Sequence, residues 1–284
     1  MSEVVERSVD ANGIRFNVAE VGTGEPVVLL HGFPDSWHIW RHQMPVLAKA
    51  GFRVIAPDLR GFGRSARPVG VARYTMRTLV ADVVSLLDTH SAERVSLVGH
   101  DWGAGLAWAV AAFVPDRVSR LAVVSVGHPK ARIDAGLEQR QLSWYMLWFL
   151  FPGVAEEILP RDDWDFFRRW AWPSGSSEGD LQRQIADLSR PGALTAGLSW
   201  YRANIDPGRY VTHDPNEAPF PDVTCPTMGV WSSDDFALAE RQMKASGRYV
   251  DGPWRYERIE GVDHWVPVNA AVRLNELLLS FLRT

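Results

Sequence analysis

The clearest chemical signal in this sequence is a run of five residues, Gly99-His100-Asp101-Trp102-Gly103. The run follows a short apolar stretch, Val95–Val98, and opens an alanine-rich stretch through Phe113 that reads as a helix. A strand that turns at once into a helix needs small residues two places before and two places after its apex. Larger side chains there would collide with the strand and the helix. The apex residue is then held above the sheet in a strained conformation. Here it is an aspartate. Aspartate is also an ordinary residue for the start of a helix. The same place suits a carboxylate nucleophile, because the helix N-terminus keeps it charged and supplies N–H groups to developing negative charge. The flanking glycines and the partners found elsewhere in the chain favour the nucleophile.

An ester formed on Asp101 must be hydrolysed, which requires a base to activate water, usually histidine. In folds built around such a turn the chain order is nucleophile, acid, histidine. Of eight histidines, His264 alone follows the last strand-like segments, in Gly261-Val262-Asp263-His264-Trp265. The acid that orients its ring belongs after the apolar run Thr227–Trp231, where Asp234 and Asp235 are adjacent. Asp235 is the expected partner and Asp234 the alternative, one of the two serving the turn. The turn His31-Gly32-Phe33-Pro34 follows another apolar run, Val27–Leu30. The loop after that strand commonly supplies one backbone N–H to an oxyanion hole, here that of Phe33, with the second from Trp102.

These groups need a scaffold. Ile14–Glu20 alternates apolar and polar residues as a half-buried strand does. Val27–Leu30, Arg53–Ala56, Val95–Val98 and Leu121–Val126 are short, largely apolar runs, and Thr75–His90 has a helical apolar stripe. Strand and helix in alternation predict an α/β fold with a mostly parallel sheet covered on both faces. From about residue 129 to 212 the strand signal gives way to helical periodicity rich in aromatic residues. It returns at Thr227–Trp231 and Trp254–Ile259, and a closing helix is expected over Pro267–Leu282. The expectation is a core of residues 1–128 and 213–284 with a helical cap, residues 129–212, inserted over the sheet.

Bulk properties narrow the function class. With 284 residues and 46% hydrophobic content the chain can bury a large core. A formal net charge of -4, with no basic stretch, argues against nucleic acid or an anionic membrane as partner. A lone cysteine, Cys225, forbids an internal disulfide and reads as a small buried side chain. No apolar run is long enough for a membrane span, and the N-terminus has no secretory pattern, so a cytoplasmic protein is expected. No metal-binding spacing such as H-E-x-x-H occurs, and neither metal nor cofactor is expected. A homodimer is compatible with this pattern.

The segments HGFPDSWHIWR, DLRGFGRS and GHDWGAGLAW resemble those of epoxide hydrolases of the α/β-hydrolase fold, and the resemblance spans nearly the whole chain. Haloalkane dehalogenases share an aspartate followed by tryptophan, so the cap discriminates. Epoxide hydrolases use two cap tyrosines to donate to the epoxide oxygen. Tyr201, in Leu198-Ser199-Trp200-Tyr201-Arg202, matches the family's WYR segment. Tyr145 stands seven residues before Pro152 of a PGVAE segment, where the family has its other tyrosine. The resemblance implies hydrolysis of a small apolar epoxide by water to a vicinal diol, with Asp101, Asp235, His264, Tyr145 and Tyr201 catalytic. Haloalkane dehalogenation is the nearer alternative, although Phe33 lacks the donor side chain often found there. The residues one and four after the nucleophile, Trp102 and Gly105, are not the arginines of fluoroacetate dehalogenases. A ligand-binding protein without catalysis on the same fold is the alternative of a different class.

Overall fold

The shortest apolar runs of the sequence lie side by side at the centre of one sheet. The structure, a computed structural model, describes residues 3–172, 178–208 and 220–284. Its strands are β1 (Val5–Ala11), β2 (Ile14–Val21), β3 (Glu25–Leu30), β4 (Phe52–Pro57), β5 (Val95–His100), β6 (Val118–Val124), β7 (Thr227–Ser232) and β8 (Trp254–Ile259). They form an eight-stranded sheet in the order β1-β2-β4-β3-β5-β6-β7-β8. β1 and β2 are antiparallel to each other, β2 is antiparallel to β4, and the other pairs are parallel. Every residue of β5 and of β7 is buried. That explains their unbroken apolar runs, since a central parallel strand is covered on both faces.

β1 has no counterpart in the expected strands. Its residues, VERSVDA, are mostly exposed and it pairs only with β2. An edge strand buries too little to carry a hydrophobic pattern. The closing helix also differs from expectation. It is two helices, Val266–Asn269 and Ala271–Leu282, separated at Ala270, whose φ of -125° and ψ of 34° are not helical.

On the faces of the sheet lie α1 (Met44–Lys49), α2 (Met76–Thr89) and α3 (Trp102–Phe113). Between β6 and β7 come α4 (Pro129–Asp134), α5 (Gly136–Leu142), α6 (Trp144–Phe149), α7 (Val154–Ile158), α8 (Arg161–Ala171), α9 (Glu178–Leu188) and α10 (Ala193–Asn204). The first helix of this insertion starts at Pro129, and the expected boundary at residue 212 lies outside the described residues. Among the described residues no helix is long and apolar enough to cross a membrane.

Two groups of contacts, among others, fasten the insertion to the sheet and its loops. At one, the DLRGFGRS loop is locked from below. The Asp58 carboxylate accepts from the backbone N–H groups of Arg64 and Trp37, at 2.8 and 2.9 Å. Arg60 makes a bidentate buried pair with Asp82 on α2. Trp200 of α10 then donates to the Arg60 carbonyl at 2.9 Å. At the other, Trp172 stacks on Trp265 with ring centroids 4.5 Å apart and donates to Gln184 at 2.7 Å. Gln184 of α9 donates in turn to Asp35 at 2.8 Å.

Asp35 sits under the insertion, and burial raises its pKa from the usual carboxylate range to about 7, against the lowering effect of Gln184. Between the two values the folded chain holds a proton that the unfolded chain has released. Stability from this group is therefore full at acid pH and is lost as pH rises, by about 1.4 kcal/mol per pH unit until pH passes about 7. Asp35→Asn is expected to remove that slope when urea unfolding is measured between pH 5 and 6.5. An unchanged slope would mean that Asp35 titrates as an ordinary surface carboxylate.

Candidate active site

β5 delivers Asp101 to the sheet's C-terminal edge, and α3 starts at the next residue. Asp101 has φ 52° and ψ -124°, a left-handed conformation that costs a residue other than glycine of the order of 1–3 kcal/mol. The glycines explain how the turn closes. A Cβ on Gly99 would overlap Gly103 and Ala104, and one on Gly103 would overlap the Leu30 and His31 carbonyls of β3 and its loop. The carboxylate does not cap its own helix. Its Oδ1 accepts instead from the Phe33 backbone N–H at 2.8 Å, and the Trp102 N–H also hydrogen-bonds it. The two N–H groups expected to form an oxyanion hole thus meet on this carboxylate.

His264 lies on the other side, its Nε2 3.6 Å from Asp101 Oδ2. Its Nδ1 is 3.0 Å from Asp235 Oδ2, and Asp235 Oδ1 accepts from the N–H groups of Ala237 and Leu238 at 2.9 and 3.0 Å. Asp235 is buried and Asp234 is exposed. Asp234 faces away, accepting a hydrogen bond from Ser233. Burial alone would raise the Asp101 pKa, but hydrogen bonding and charge from His264, with His100 and the Trp102 N–H, bring it below the usual range. Burial likewise pulls His264 down, and the charges of Asp235 and Asp101 reverse this and raise it to about 10. At neutral pH the resting trio is a buried imidazolium between two carboxylates.

Tyr145 on α6 and Tyr201 on α10 stand above Asp101, both buried, with ring centroids 6.3 Å apart. Tyr201 packs edge-on against Trp102 at 5.1 Å and Phe33 at 5.5 Å. Burial, then Tyr145 and Asp101, hold the Tyr201 pKa well above the usual phenol value, while a hydrogen bond with the Trp102 side chain works the other way. Tyr201 is therefore a neutral phenol, able to donate. The two motifs that flagged the tyrosines are physically joined. Arg202 makes a bidentate pair with Glu156, at 2.6 and 2.8 Å, and donates to the Phe149 carbonyl at 3.0 Å. Arg202 thereby fixes α10 against α6 and α7, and so fixes one tyrosine against the other.

Two cavities meet at this point. The larger, about 250 Å³, is bordered by Asp101, Trp102, Tyr145 and Tyr201 and runs out along α4 and α10. The smaller, about 20 Å³, is bordered by Asp101, both tyrosines, Phe236 and His264. Its size is that of roughly one water molecule. Among the described residues no cluster of His, Cys, Asp and Glu is arranged to hold a metal ion.

All seven residues singled out from the sequence therefore converge. Three further ones went unnoticed. His31 accepts the Leu59 N–H at Nε2, 2.9 Å, and bonds the Gly32 carbonyl through Nδ1 at 2.8 Å, which pins the loop that presents Phe33. His100 bonds the His264 carbonyl at 2.9 Å and lies against its ring, 4.7 Å between centroids. Burial lowers both pKa values to about 4, so both are neutral supports. Their places in the HGFP and GHD segments were the available signal. Gly32 is the third. A Cβ there would overlap the Asp101 carboxylate. Gly32→Ala is expected to leave the circular dichroism spectrum intact and to lower turnover about 100-fold, since displacing a reacting group by about 1 Å costs that much. Turnover within a few-fold of the parent would mean that the carboxylate position is not critical.

Residues 25–271 match the α/β hydrolase fold family. Epoxide hydrolase A of Mycobacterium tuberculosis is 33% identical, with 99% of this chain and 98% of that protein covered. The AB hydrolase superfamily protein YfhM of Bacillus subtilis is 32% identical over 97% and 96% of the two chains. Among solved structures, epoxide hydrolase A of Mycobacterium thermoresistibile is 30% identical with a TM-score of 0.83, covering 99% of this chain and 98% of that one. The Bacillus megaterium epoxide hydrolase is 26% identical with a TM-score of 0.87, covering 98% and 100%. The chain belongs to the α/β-hydrolase family, in its epoxide hydrolase branch.

Proposed function

We propose that the protein converts an epoxide to a vicinal diol in two steps, through an ester on Asp101. The observation that carries this reading is that two buried tyrosines border both cavities beside a buried carboxylate. The relatives named as epoxide hydrolases support it. Asp101 Oδ2, the oxygen that does not hold the Phe33 N–H, attacks an epoxide carbon from the larger cavity. Tyr145 and Tyr201 donate to the epoxide oxygen as its carbon–oxygen bond breaks, so the leaving alkoxide takes up a proton. Oδ1 becomes the ester carbonyl, already held by Phe33.

Alkylation also changes His264. The Asp101 charge is one of those that raise its pKa, and esterification removes that charge. The ring can then give up its proton, which restores the tyrosine hydroxyl that protonated the alkoxide, while Asp235 holds its orientation. Neutral Nε2 takes a proton from a water in the small cavity, and that water attacks the ester carbon. Negative charge collects on Oδ1, between the Phe33 and Trp102 N–H groups. Collapse releases the diol and restores the carboxylate. Asp101, Asp235, His264, Tyr145 and Tyr201 thus act on the reacting atoms directly or through one another, within a core of residues 1–128 and 213–284 and a cap of residues 129–212.

Haloalkane dehalogenation would need donors for a halide beside Asp101. Phe33 has no donor side chain, and the Trp102 ring packs edge-on against Tyr201. The test is turnover of styrene oxide and 1-bromobutane by the parent enzyme and by the Tyr145→Phe, Tyr201→Phe double variant. Epoxide turnover is expected to dominate in the parent and to fall about 100-fold or more in the variant, the usual worth of an acid catalyst. Faster bromobutane turnover in the parent, or epoxide turnover indifferent to the tyrosines, would overturn the reading.

A further inference from the structure

The larger cavity is apolar along most of its wall, with Met76, Val126, Met146, Ile205 and Leu238 contributing. Arg132, in the last turn of α4, also lines it. Its side chain is half-buried, yet among the described residues no carboxylate pairs with it. The polar contact of its guanidinium is Nη1 at 3.7 Å from the Met146 sulfur, a weak acceptor. Other arginines of the interior are placed differently: Arg41, Arg60 and Arg202 hold Asp180, Asp82 and Glu156. A guanidinium taken out of water normally gains a carboxylate or phosphate partner, because its donors are otherwise left poorly paired. Arg132 is also near enough to Tyr201 for its charge to act on that hydroxyl, so it shares one space with the reacting groups.

We propose that Arg132 anchors a carboxylate of the substrate, which makes the substrates epoxides with an apolar body and an anionic end. This rests on the epoxide-opening role argued above for the same cavity. The arrangement orients such a molecule. Its carboxylate is held at Arg132 and repelled by Asp101, its apolar chain lies along the methionine and aliphatic wall, and its epoxide reaches the tyrosines. Arg132 is then a positioning residue: it decides which epoxides bind and how they lie, and takes no part in bond making.

The test separates binding from chemistry. Hexanoate and hexanamide, which have no epoxide, are titrated against the parent protein, Arg132→Gln and Arg132→Lys by tryptophan fluorescence. Hexanoate is expected to bind the parent about 10-fold or more tighter than hexanamide, the range of a charge-assisted hydrogen bond. The preference is expected to vanish in Arg132→Gln and to survive in part in Arg132→Lys. With 5,6-epoxyhexanoate the Arg132→Gln variant is expected to show a KM raised about 10-fold, and on neutral styrene oxide a much smaller rise in KM. Equal binding of acid and amide by the parent, or a preference that persists in Arg132→Gln, overturns the anchor. A carboxylate preference that depends on Arg132, in a protein that turns over no epoxide, supports the anchor and overturns the epoxide reading instead.

Discussion

The structure is organised around one electrostatic problem, a carboxylate buried at the bend between a strand and a helix. Charge removed from water costs several kcal/mol unless it is paired and hydrogen-bonded. Asp101 has a backbone N–H from Phe33, another from Trp102, the start of α3 and the His264 imidazolium. Each of these is held in turn by something else. His31 pins the Phe33 loop, Asp235 orients His264, and two backbone N–H groups fix Asp235. The same donors that make the resting carboxylate tolerable are those an oxyanion needs, so little has to rearrange when the charge moves from one atom to the next.

The insertion between β6 and β7 adds what the sheet lacks. The sheet and its loops offer a carboxylate, a histidine and two N–H groups, which suffice to make and break an ester. The groups able to protonate a leaving oxygen, Tyr145 and Tyr201, come from α6 and α10. The Arg202–Glu156 pair ties those two helices together, and Trp200 fastens α10 to the loop after β4. The proposed acid function and the shape of the larger cavity are therefore set by the same few contacts.

Much of this was legible in the sequence, for physical reasons. Strands such as β5 and β7, buried on both faces, must be apolar throughout and must end abruptly, so their positions and the turn at Asp101 stand out. β1 was invisible because it is a solvated edge whose residues mix charges with valines. The helical pattern of the closing segment runs on through Ala270, a good helix former that the fold nonetheless takes out of helical conformation. Asp234 and Asp235 are chemically identical neighbours in a turn, and only the turn's geometry points one at His264 and the other at solvent. Arg132 carries no signal in the sequence, since an arginine with no carboxylate partner among the described residues can be recognised only when its surroundings are known.

The account stands on the claim that Asp101, and not water, opens the ring. A single turnover of excess enzyme with styrene oxide in oxygen-18 water reads this directly. The account predicts that the first diol released carries no label and that the label appears in the Asp101 carboxylate of the digested protein. Label in the first diol, with none in Asp101, would mean that water attacks the epoxide itself and that the ester does not exist.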